Sequence, residues 1–158
     1  MKLELKHLSA YLPFKLQAVV PNGDITEVGL SKFICFWHID KYKPILRPLS
    51  DLIKEIEFDG EKFIPMVSLF INFCKICPDK YSLDIGKTII LMDIQQDFNE
   101  WYFVYHINEK LFEFSNKSES AYRNLNQYDM FELLKSWHFD IFGLIDAGLA
   151  VDINNVAS

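Results

Sequence analysis

Cysteine is scarce in this chain: there are three, an odd number, in 158 residues. A chain of that length can bury a core without covalent staples, so the count fits a reducing compartment and excludes a disulfide scaffold. Positive charge is also short. Sixteen Lys and Arg against 22 Asp and Glu leave a formal charge of −6 and a pI near 5.2. That argues against a dedicated DNA or RNA binder, whose affinity comes from cations set against phosphates. The acidic residues form no run of like charge, so a DNA mimic is not indicated either. No apolar run reaches the roughly 20 residues of a membrane helix; the longest, Phe63 to Ile76, is interrupted by Asn72 and Lys75. Lys2, Glu4 and Lys6 break any leader-like apolar stretch at the amino end. A cytoplasmic location with no membrane contact is expected. Also missing are G-x-S-x-G, a P-loop, H-E-x-x-H and a dinucleotide fingerprint. An enzyme becomes the less favoured class, and no cofactor is expected.

What is present is the composition of an ordered globular chain, with half the residues apolar and 24% charged. Leu5, Leu8 and Leu12 give a helical turn or two before Pro13 stops them. Leu16 to Val20 and Ile25 to Leu30 flank Pro21-Asn22-Gly23-Asp24, whose Asn-Gly pair favours a tight hairpin turn. Phe33 to Ile39, apolar on both faces, reads as a buried central strand. Lys43 to Pro48 carries two prolines and is expected to wrap across the surface rather than enter a sheet. Ser50 can cap a short helix from Asp51 to Glu55, and Ile56 to Phe63 reads as a second hairpin around Asp59-Gly60. Pro65 suits the first position of a buried helix running to Cys77, closed by Pro78. A second meander follows, with strands at Thr88–Ile94, Trp101–Ile107 and Leu111–Phe114 and both faces of the middle strand covered. Ser115 to Asn126 reads as a loop.

The longest helical signal comes last. Met130, Leu134, Trp137, Ile141 and Ile145 recur at i+3 and i+4, with Asn126 as N-cap, Asp129 and Glu132 in the first turns and Gly148 as the stop. Leu149 to Ile153 then reads as a short strand. The expectation is an α+β fold: antiparallel β-meanders packed against a long C-terminal helix, with residues 1–158 as a single compact domain. On that helix the wheel gathers Ser136, Phe139, Gly143 and Ala147 on the side away from Met130, where glycine would cost about 1 kcal/mol relative to alanine. Such a stripe suggests a partner-binding surface for another protein or a second copy, unless Gly143 marks a kink or an early helix end.

Four residues can be written down as metal ligands. Cys74 and Cys77 form a C-x-x-C, and Cys35 and His38 have the same spacing. Residues three apart on a strand point to opposite faces, so Cys35 and His38 would not share an ion, and buried free thiols are the simpler expectation. A redox role for Cys74 and Cys77 is disfavoured because they fall at a helix C-terminus, where the dipole opposes thiolate. His138 and Asp140 are two apart and would not face each other on a helix. A basic surface of Lys41, Lys43, Arg47 and Lys54 is the alternative site, for nucleic acid, against the plainer expectation of a solvated face.

Several motifs are long enough to carry a resemblance. Tyr11-Leu12-Pro13, Lys43 to Leu52 with Lys54-Glu55-Ile56, Gly60 to Phe63, and Trp137-His138-Phe139-Asp140 through Phe142 to Ile145 and Gly148 to Asn154 resemble an uncharacterised family of short proteins from prophages and mobile elements of gut bacteria. Met66 to Gln127 lies outside the resemblance. It implies context rather than chemistry: a small phage-related accessory protein, with no catalytic residues to carry over. Protein–protein contact is therefore the favoured function and nucleic-acid association the alternative.

Overall fold

Turn chemistry sets the local elements, and the sheets are assembled from them. The computed structural model describes residues 2–28, 41–96, 99–116 and 125–156. Among these are three α-helices and ten strands in three sheets, an α+β fold. By their internal contacts the residues divide into two compact units, Met1–Leu49 with Phe131–Ser158, and Ser50–Met130. No described helix is long and apolar enough to cross a membrane.

In the first unit, α1 (Leu5–Ser9) stops short of Pro13, which sits inside a 3₁₀ turn, Leu12–Phe14. Strands β1 (Gln17–Val19) and β2 (Ile25–Glu27) pair antiparallel as expected, with Gly23 at φ +90° in the turn between them. The two-proline segment departs from expectation. Lys43–Leu46 is strand β3, with Pro44, Ile45 and Leu46 buried, and it lies inside the sheet between β1 and β10 (Val151–Asp152). Proline is tolerated there because each flank is only two residues long. β1 pairs with Lys43 and Pro44, while β10 pairs in parallel with Ile45 and Leu46, so Pro44 owes no amide to β10. Opposite Ala18 it can occupy a position where antiparallel strands exchange no bonds. The expected strand Phe33 to Ile39 lies outside the described residues.

A 3₁₀ turn (Leu49–Ile53) carries the chain into the second unit and leads to β4 (Ile56–Phe58) and β5 (Glu61–Phe63). Asp59 and Gly60 both take positive φ, +50° and +82°, as the tight turn expected there demands. Helix α2 (Pro65–Cys74) has Pro65 at its first turn and ends three residues before Cys77, with Lys75 left-handed. It is buried on one side only: Met66, Leu69 and Phe70 are covered, whereas Ile71 is 38% exposed. The four-stranded sheet runs β6 (Lys80–Ile85), β7 (Ile89–Gln96), β8 (Asn99–His106), β9 (Leu111–Asn116), antiparallel throughout. Its inner face carries Ile90, Met92, Phe103, Tyr105, Phe112 and Phe114, all buried. Phe70 of α2 packs on that face, 5.7 Å from Phe103 and 5.5 Å from Phe114 between ring centroids. Burying each such ring contributes roughly 1.5–3 kcal/mol. Most of the expected loop at Ser115 to Asn126 lies outside the described residues.

The last helix, α3 (Gln127–Ser136), starts as expected, with Asn126 Oδ1 accepting the Asp129 amide at 3.3 Å. It ends a dozen residues before Gly148. His138 turns left-handed at φ +61°, the His138 amide donates to Lys135 O, and the Phe139 amide donates to Leu134 O. This pair of bonds is the Schellman closure, here with histidine in the place usual for glycine, and with Leu134 and Phe139 both fully buried. The apolar spacing continues past Ser136, but the chain uses it in successive turns around buried Phe139, Ile141 and Leu144. Gly143, at φ +73°, and Gly148, at φ +70°, mark the later turns.

Candidate interaction face

The side-chain stripe expected on the back of the long helix does not form. Phe139 is fully buried, and its flanking segment bridges β3: the Arg47 amide donates to His138 O and the Asp140 amide to Arg47 O, each at 2.8 Å. Ser136 Oγ is turned onto Leu133 O, and Gly143 and Ala147 are exposed in the turns beyond the helix. The early helix end, allowed for at Gly143, comes instead at Ser136.

The other sequence candidates separate in the same way. Lys41 and Lys43 are exposed, but Arg47 is only 9% exposed and cannot contribute to a basic surface. Lys54 belongs to the second unit and holds buried Asp51 at 2.7 Å. Cys74 is buried at the end of α2 and Cys77 is exposed beyond it; Cys35 and His38 lie outside the described residues. No group of three metal-ligating side chains occurs among the described residues. His138 and Asp140 serve the backbone. His138 Nε2 meets Phe14 O at 2.6 Å, and the Asp140 carboxylate accepts the amides of Leu144 and Ile145 at 2.9 and 2.7 Å. Tyr11 Oη donates to Phe139 O and accepts from the Ile141 amide. These polar groups tie separate stretches of the chain together.

The outer face of the β6–β9 sheet is different. It was expected to be covered, yet Tyr102, Val104 and His106 are only half-buried, beside fully buried Phe103 and Tyr105. Pairing register places four rows on this face. Ile89, His106 and Leu111 form one, Asp84, Leu91, Val104 and Glu113 the next, then Ser82, Asp93, Tyr102 and Ser115, and finally Lys80, Gln95 and Glu100. Ile89 and Leu111 are 36% and 43% exposed. His106 Nε2 lies 3.1 Å from Glu113 Oε2 across the β8–β9 ladder. An open cleft of about 210 Å³ lies at one margin, lined by Lys80, Tyr81, Ser82, Asp93 and Gln95. The surface thus alternates apolar side chains with four carboxylates against one lysine.

Sequence patterning missed β6 because Pro78 and Asp79 precede it and its residues are mostly exposed. The alternation of Tyr81, Leu83 and Ile85 with Lys80, Ser82 and Asp84 was the available signal. Comparison of the chain with protein-family models, curated proteins and solved structures finds no match.

Proposed function

We propose that this protein is a small, non-enzymatic, cytoplasmic accessory factor of a prophage or mobile element that acts by binding another protein. The observation that carries this is the outer face of the β6–β9 sheet, where half-buried Leu91 and Val104 stand side by side on the two central strands with Tyr102 next along β8, and Asp84 and Glu113 close the Leu91–Val104 row at the two outer strands. An apolar centre with a charged rim is the usual anatomy of a protein–protein contact. The phage-like setting rests on the motif resemblance around Lys43–Leu52 and Trp137–Asn154. Burial of Arg47 and the carboxylates on the open face favour a protein partner over nucleic acid.

The test places Val104→Arg at the centre of the face. Tagged wild-type and variant protein are recovered from cells carrying the induced element, and the co-purifying proteins are quantified. The expected result is a protein enriched with wild type and lost with Val104→Arg, while the variant melts at the wild-type temperature. Equal enrichment with both, or none above an empty tag, defeats the proposal.

A further inference from the structure

The two edges of the β6–β9 sheet are treated differently. On β9 the Phe112 amide donates to Gln127 Oε1 at 2.8 Å, and Gln127 Nε2 donates to Phe112 O at 2.7 Å, so a side-chain amide stands where another strand would bind. β6 has no such cover among the described residues. The Gly86 amide donates to Ile89 O, which fixes the alternation along β6: the even residues turn their backbone groups toward β7, and Tyr81, Leu83 and Ile85 turn theirs outward. One outward group is already used, because the Ile85 amide donates to Asp84 Oδ1 at 2.9 Å. The backbone N–H and C=O of Tyr81 and Leu83 remain as an open pairing site.

We propose that two copies of this chain pair antiparallel through β6 about a two-fold axis at Ser82. In that register Tyr81 and Leu83 of one copy exchange backbone bonds with Leu83 and Tyr81 of the other, four in all. Lys80 then stands directly across from Asp84 of the second copy, and Asp84 from Lys80, at non-bonded positions where Cα atoms are only about 4.5 Å apart. Neighbouring registers are worse. Centring on Leu83 needs the Ile85 amide that Asp84 occupies and sets Lys80 against Gly86, while centring on Tyr81 sets Lys80 against Ser82 and Asp84 against Pro78. A self-complementary edge of this kind makes an isologous contact that joins two four-stranded sheets into one. Its small area makes a weak, concentration-dependent dimer. The pairing groups are backbone atoms at the edge of the sheet; Lys80 and Asp84 border the open face, whereas Val104 at its centre takes no part in the pairing.

The test is the mass in solution, by sedimentation from micromolar to millimolar protein, of wild type, Lys80→Asp, Asp84→Lys and an equimolar mixture of the two variants. Each single reversal sets like charges opposite one another twice and is expected to weaken the dimer at least about tenfold. In the mixture every position opposite is again of unlike charge, and a mixed dimer is expected. Both positions are exposed and Asp84→Lys gives up only the exposed bond to the Ile85 amide, so melting temperatures should hold to within a few degrees. A wild type that stays monomeric at the highest concentration overturns the proposal, even if an edge variant loses a different partner protein. So does a dimer that survives the single reversals, or one that the mixture fails to restore. Val104→Arg should leave the dimer intact, so a failure of the open face and a failure of the edge are told apart.

Discussion

Asp140 shows how much one buried side chain can hold in this molecule. It is 4% exposed and its two carboxylate oxygens accept the amides of Leu144 and Ile145. Asp140→Ala strands two donors at once, each costing roughly 1–3 kcal/mol, so a loss of about 2–5 kcal/mol is expected in denaturant unfolding. Asp140→Asn keeps one good acceptor and should fall between. Tyr11→Phe removes the hydroxyl shared by Phe139 O and the Ile141 amide, and about 1–3 kcal/mol is expected. Tyr105 makes a different prediction. Burial pushes its phenol up to about 12 from an ordinary value of 10. The neutral form is therefore favoured in the folded state, and the stability it contributes is intact below pH 10 and lost as pH rises through 12. Tyr105→Phe should flatten the alkaline fall in melting temperature within that window. An unchanged slope would show that other groups govern it.

At the scale of elements, what could be read from sequence depended on how local its causes are. The hairpins at Asn22-Gly23 and Asp59-Gly60 were legible because the turn residues themselves demand positive φ. The start of α3 was legible through Asn126 for the same reason. β3 was not, because the permission for Pro44 lies in β10, more than a hundred residues away. The end of α3 was hidden as well. Its apolar period runs on, and long-range bonds from Phe14, Arg47 and Tyr11 reinforce the closure at left-handed His138 and hold the turn after it. The sign of one substitution tests this. If the helix continued, Gly143→Ala would stabilise it by about 1 kcal/mol through propensity. At φ +73°, with nothing within 4 Å of an added Cβ, the same change meets no clash and is penalised by backbone strain alone. A destabilisation of about 1 kcal/mol is expected. Phe139→Ala, by contrast, empties a core position and should cost about 3–5 kcal/mol.

At the scale of the whole molecule, charge decides which partners can approach. A net charge of −6 repels a polyanion on average, and Arg47 adds nothing at the surface because its side chain is buried. Lys54 is exposed but its charge is offset by Asp51, which leaves Lys41 and Lys43 as the main exposed charge of the basic group, too few to neutralise a useful number of phosphates. Each phosphate contact contributes a salt dependence of roughly 0.9 in the slope of log affinity against log salt, so even a real two-lysine contact would give a shallow slope near 2. Fluorescence anisotropy with a mixed-sequence duplex should therefore detect at most weak binding at low salt that is gone at physiological salt. Lys41→Ala with Lys43→Ala is the useful variant, since Arg47→Ala would confound affinity with folding. Tight binding at physiological salt that falls steeply with added salt, and that this double variant abolishes, would reverse the choice of a protein partner over nucleic acid.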